Sequence, residues 1–80
     1  MRIDADMEMT INDNWGEKEE LVVICAHELG RQLWDHDPMY GRNRDRDDHE
    51  AKVAKLGFLL GKSQTATEFI QEARQIPTLD

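Results

Sequence analysis

Eighty residues leave room for one small domain, without space for a second core or a large catalytic cleft. Ten lysines and arginines stand against 17 acids, a net charge of −7, and the single cysteine excludes a disulfide scaffold. The longest apolar run, residues 21–26, is too short to span a bilayer, and Met1-Arg2-Ile3-Asp4 opens no signal peptide; the expectation is a reduced, cytoplasmic single domain.

Residues 1–12 alternate strictly. Ile3, Ala5, Met7, Met9 and Ile11 fall on one side and Arg2, Asp4, Asp6, Glu8, Thr10 and Asn12 on the other. Period two predicts a half-buried β-strand. A lone strand cannot satisfy its backbone, so it pairs with a second copy, pairs with another protein's sheet edge, or stays a frayed arm. A two-fold ribbon built on Ile3, Ala5, Met7, Met9 and Ile11, joining a homodimer, is the sharper reading.

Asn12-Asp13-Asn14 breaks that pattern, and Asn14 with Glu17 has the spacing of a capping box. A helix over residues 15–34 follows, with acids in its first turn and a stripe of Val22, Cys25, Ala26, Leu29 and Leu33, widened by Leu21 and Ile24. Cys25 on that stripe reads as a packed small hydrophobe, not a nucleophile. Residues 35–48 are polar and hold Pro38 and Gly41, which reads as a loop. Asp47, boxed with Glu50, opens a second helix to Leu60, with Val53, Leu56, Leu59 and Leu60 as apolar positions and Ala54 and Phe58 alongside. Gly61 is placed as a left-handed stop. Ser63 or Thr65 begins a third helix that buries Ala66, Phe69, Ile70 and Ala73 and ends at Pro77; Thr65 and Glu68 form its capping box. The organisation expected is therefore an N-terminal strand or arm (1–12) and a mostly α, three-helix, helix-turn-helix-like domain (13–80).

Residues 57–63, Gly-Phe-Leu-Leu-Gly-Lys-Ser, resemble a phosphate loop but have three residues between the glycines, not four, and follow a helix, not a strand. His27-Glu28 opens a zinc-protease pattern, yet Arg31 stands where the second histidine belongs. Asp35-His36-Asp37 suggests a calcium loop, but Tyr40 and Arg46 occupy the turn-glycine and bidentate-acid positions. No metal, cofactor, catalytic constellation or small-molecule substrate is expected.

The charge divides unevenly. Residues 1–40 hold three basic groups and ten acids, whereas residues 41–80 hold seven of each. The second half can therefore approach a polyanion without a large penalty. Residues 53–66 read as helix, glycine turn, helix, with Leu60 and Ile70 clasping the corner. In a helix-turn-helix the third helix would present Gln64, Thr65, Thr67, Glu68, Gln71 and Arg74, with Lys62 and Ser63 placed for phosphate and Arg42, Arg44 and Arg46 as further phosphate contacts.

Residues 15–21, Trp-Gly-Glu-Lys-Glu-Glu-Leu, then Leu60-Gly61-Lys62-Ser63 with Ala66, and Thr78-Leu79-Asp80, resemble a Myb/SANT-like helix-turn-helix. The likeness is to the small DNA-binding domain preceding the nuclease part of some HNH endonucleases, and Arg42-Asn43 is similar to that domain's Arg-Asn loop. The resemblance implies a helical fold whose last helix contacts DNA. The chain departs from it at Glu68 and Glu72, and no nuclease segment is expected to follow, so the fold is expected to carry over more directly than the DNA binding.

Two functions are expected from this reading. One is a small dimeric, non-enzymatic DNA-binding regulator using Arg42, Arg44, Arg46, Lys62, Ser63, Gln64, Thr65, Thr67, Gln71 and Arg74. The other is an acidic inhibitor, of a kind found in phages and mobile elements, that covers a basic, nucleic-acid-binding surface of a host protein with Asp4, Asp6, Glu8, Glu17, Glu19, Glu20, Asp35 and Asp37.

Overall fold

The computed structural model describes residues 1–36 and 43–78. Four helices follow one another: α1 (Ala5–Asp13), α2 (Lys18–His36), α3 (Asn43–Lys62) and α4 (Ala66–Ala73). No strand occurs among the described residues. Among the described residues the domain is all-helical, with four helices where three and a strand were expected.

The alternating N-terminal segment is the main correction. Asp4 caps α1, its carboxylate accepting from the Met7 amide at 2.9 Å, and Asp6 and Glu8 place further negative charge on the first turn. Ala5, Met7, Glu8 and Met9 are good helix formers, not β-branched strand residues. Met7 and Ile11 lie four residues apart on one edge of α1, and Ile3 joins the core from the extended residues before the helix, while Met9 is 62% exposed and Ala5 also faces solvent. Ile3 and Ile11 lie in the domain's own core at 6% and 0% exposure, which leaves them no face for a two-fold ribbon.

Asn14 closes α1 instead of opening α2. Its Nδ2 donates to the Thr10 carbonyl at 2.9 Å and its backbone N–H to the same oxygen at 3.1 Å. The next helix starts three residues later than residue 15, where the Glu17 carbonyl accepts from the Leu21 amide. At the other end α2 reaches His36 and α3 begins at Asn43, so helix occupies much of the stretch expected as loop; residues 37–42, with Pro38 and Gly41, lie outside the described residues.

The core draws on every helix and on the extended residues before α1. Leu21, Cys25, Leu29 and Leu33 of α2 pack with Leu56, Leu59 and Leu60 of α3, Ala66, Phe69, Ile70 and Ala73 of α4, and Met1, Ile3, Ile11 and Ile76. The main pairing is α2 on α3; α4 packs on α3 and on α1. Trp15 closes one end, its ring 6.0 Å from that of Phe69. Val22, Ile24 and Val53 are half-buried, whereas Phe58 projects at 67% exposure.

Gly61 is not a left-handed stop. It sits inside α3 without a positive φ, and a Cβ built on it meets nothing within 4 Å. Glycine within a helix costs about 0.5–1 kcal/mol relative to alanine. Gly61→Ala is therefore expected to raise stability by about 0.5 kcal/mol, read as a rise of a few degrees in Tm. A left-handed glycine would give the opposite sign.

Candidate functional site

The corner between α3 and α4 is Ser63-Gln64-Thr65. The Thr65 hydroxyl accepts from the Glu68 amide at 3.1 Å, half of the expected capping box. The other half shifts by one residue, because the Glu68 carboxylate accepts from the Gln64 amide at 3.4 Å. Lys18 secures the corner from the start of α2. Its Nζ donates to the Leu60 carbonyl at 2.9 Å and lies 4.0 Å from the Trp15 ring, so a cation meets both the negative end of α3 and an aromatic face.

That arrangement distributes the residues expected at DNA unevenly. Lys62, Gln64, Thr65, Thr67 and Gln71 are exposed along the corner and the outer side of α4. Ser63 is 5% exposed, and its hydroxyl has no partner within the fold. Arg74 is engaged: its guanidinium donates to the Ile3 carbonyl at 3.0 Å and to the Glu8 carboxylate at 2.5 Å. Arg42 lies outside the described residues, and Arg44 and Arg46 enter only through their backbone in the first turn of α3. Glu68 and Glu72 share the outer part of α4 with the glutamine and threonines, and no described basic side chain stands among them.

The acids lie elsewhere, in two separate groups at the positive ends of α1 and α2. Asp4 and Asp6 sit at the first, Glu17, Glu19 and Glu20 at the second, and all five face solvent. Glu8 is half-buried against Arg74, and Asp35 pairs with Arg31 at 3.4 Å. Asp37 lies outside the described residues. Glu28 joins this side: donation from Arg31 holds its carboxyl below the usual range, with Gln32 adding a second donor against the opposing effect of burial.

Sequence reasoning passed over Gln32, which is 5% exposed. Its Oε1 accepts from the Arg2 amide at 2.8 Å and its Nε2 donates to the Arg2 carbonyl at 2.7 Å. Together with the Arg74 contact on Ile3 and the Met1 amine's donation to the Ile76 carbonyl, this straps residues 1–4 onto α2 and α4. A hollow of about 630 Å³ runs beside the strap, with Arg2, Arg31 and Arg74 on its wall. The signal was present in the sequence: residues 21, 25, 29 and 32 follow helical spacing, and a glutamine completes an otherwise apolar edge.

Cys25 has no exposed surface, and burial, with repulsion from Glu28 added, pushes its thiol up to about 11. An unfolded thiol ionises at roughly 8.5. Above that pH the unfolded chain loses a proton that the folded chain keeps, so the thiol's stabilising contribution is complete below about pH 8.5 and declines towards pH 11. The stability advantage of wild type over Cys25→Ala is accordingly expected to shrink by about 1.5 kcal/mol between pH 8.5 and pH 10 in urea melts. A difference that stays flat over that interval would contradict a neutral, enclosed thiol.

Among the described residues no three or more His, Cys, Asp or Glu side chains are grouped to hold a metal, and no helix is long and apolar enough to cross a membrane. Comparison with family models, with curated proteins and with solved structures returned no match.

Proposed function

We propose that this chain is a non-enzymatic protein-binding module whose acidic α1–α2 side docks on a basic surface of another protein. One observation carries the reading: Lys18, Arg31, Lys52 and Arg74 are tied to carbonyls or carboxylates of the chain, which leaves Arg2, Lys55 and Lys62 as exposed described cations against five acids facing solvent at the two helix starts. Lys18 holds the end of α3, Arg31 pairs with Glu28 and Asp35, Lys52 pairs with Asp48 at 3.0 Å, and Arg74 ties the strap to Glu8. Asp4, Asp6, Glu17, Glu19 and Glu20 remain at the surface. Such a surface attracts a basic partner over a Debye length and repels phosphate, so it speeds association with the first and disfavours the second.

The test couples the full chain and a Glu17→Gln, Glu19→Gln, Glu20→Gln variant to resin and passes cell lysate over each at low salt. The expected result is a basic protein retained by wild type, released as salt rises, and lost with the variant. Recovery of nuclease-sensitive duplex in its place, retention indifferent to the substitutions, or no retention at all overturns the reading.

A further inference from the structure

We infer that the trough between α1 and α2 receives the apolar edge of a cationic amphipathic helix from the partner protein. This rests on the acidic docking side proposed above and adds the anchor that charge alone does not provide. α1 packs on α4, and its side towards α2 is left with two confluent hollows of about 220 and 360 Å³. Both hollows share Met7, Ile24 and Glu28.

The floor is apolar. Met7 and Ile24 are half-buried there, and Val23 stands in the wall at 65% exposure beside His27. A single exposed valine is ordinary on any protein surface. Here it adjoins two other apolar side chains in a concave setting, one of them a methionine whose unbranched thioether adapts to varied shapes.

The rim sets the occupant's charge. Asp4, Asp6 and Glu28 line the trough, and Glu20 stands three residues before Val23 on the same helix. The cation that lines it, Arg31, is bound to Glu28 and Asp35 and offers little to an incoming acid. An acidic partner would meet like charge on the rim, whereas a cationic one complements it, most directly at Asp6, since Glu28 is paired with Arg31 and Asp4 accepts from the Met7 amide. A helix with apolar side chains at i, i+3 and i+4 and lysines or arginines on either flank satisfies floor and rim together.

The experiment uses three fluorescein-labelled model helices of equal length, built from Leu and Lys, from Ser and Lys, and from Leu and Glu. Each is titrated by anisotropy into the full chain, into Val23→Arg and into Asp6→Lys. Both positions are exposed, and circular dichroism checks that the variants remain folded. The Leu/Lys helix is expected to bind about tenfold more tightly than Ser/Lys, an advantage that Val23→Arg removes, since burying one apolar side chain is worth about that factor. The amide resonances of Met7, Val23, Ile24 and His27 are expected to move.

Equal affinity for the two lysine helices, unaffected by Val23→Arg, overturns the trough and leaves the acidic docking side standing. Leu/Glu binding as tightly as Leu/Lys overturns the cationic occupant. Shifts at these four residues that follow protein concentration without peptide assign the trough to a second copy and overturn the proposal. No binding of either lysine helix at low salt overturns the trough and the docking side together.

Discussion

Ile11→Ala is expected to destabilise the domain by about 2–4 kcal/mol, while Met9→Ala changes stability by less than about 0.5 kcal/mol. Ile11 is 0% exposed within the core and Met9 is 62% exposed. The first substitution opens a cavity that four short helices cannot readily collapse. The second shortens a side chain already in water. A domain of 80 residues has roughly 4–12 kcal/mol of stability in total, so the first variant should lose about 8–32 °C in Tm, at about 4–8 °C for each kcal/mol. A two-stranded ribbon predicts something different: both residues lie on its buried face, both truncations cost similar amounts, and each makes melting depend on protein concentration. Thermal melts of the two variants at two concentrations separate these outcomes. Equal losses would restore the strand.

The misreading of this segment has a definite origin. Strict alternation places apolar residues at 3, 5, 7, 9 and 11, and every second member of that series also satisfies a spacing of four. Period two thus contains the helical spacing of Met7 and Ile11, with Ile3 a further four residues back in the extended lead-in, and periodicity alone does not choose between strand and helix. Two further signals favoured the helix. Asp4 precedes a run of Ala, Met and Glu with acids in the first turn, and no second strand was available to complete a ladder. The absent pairing partner was met by postulating a dimer, whereas a change of element removes the need for one.

Elsewhere the apolar spacing was decisive. The face expected for α4, Ala66, Phe69, Ile70 and Ala73, is buried; of the stripe expected on α2, Leu21, Cys25, Leu29 and Leu33 are buried, whereas Val22, Ile24 and Ala26 are half-buried. Spacing says nothing, however, about which charged groups a fold consumes. Lys18 and Arg74 stand 42 and 71 residues from the carbonyls of Leu60 and Ile3 that they serve, and no local pattern links them. Arg74 looked available for phosphate for that reason. Gly61 failed differently: a glycine directly after a helix expected to end at Leu60 suggests a left-handed stop, but α3 continues to Lys62 and the reversal is made by Ser63, Gln64 and the Thr65 cap.

Gln32 is where the strap's hydrogen bonding concentrates, and Gln32→Leu is expected to cost about 2–3 kcal/mol despite keeping the side chain's bulk. Leucine would fill much the same volume yet return nothing to the Arg2 N–H and C=O, which lie 2.8 and 2.7 Å from the amide they now share. Part-buried backbone groups left without partners cost about 1–3 kcal/mol each, more than the apolar gain offsets. Gln32→Glu keeps the acceptor for the Arg2 amide but removes the donor and sets a carboxylate where Nε2 now approaches Glu28 at 3.1 Å. Like charges so close raise the new group's pKa in the folded state, so the folded chain holds the proton more tightly than the unfolded one. The loss is therefore largest near neutral pH and is partly recovered as the acid protonates towards pH 4. Hydrogen exchange at the Arg2 amide should accelerate in Gln32→Leu, which offers it no acceptor, whereas amides in the middle of α3 slow or quicken only with global stability. If Gln32→Leu melted within about 0.5 kcal/mol of wild type and Arg2 exchange were unchanged, residues 1–4 would be held by the burial of Met1 and Ile3 alone, and the paired amide would have no part in fixing the strap.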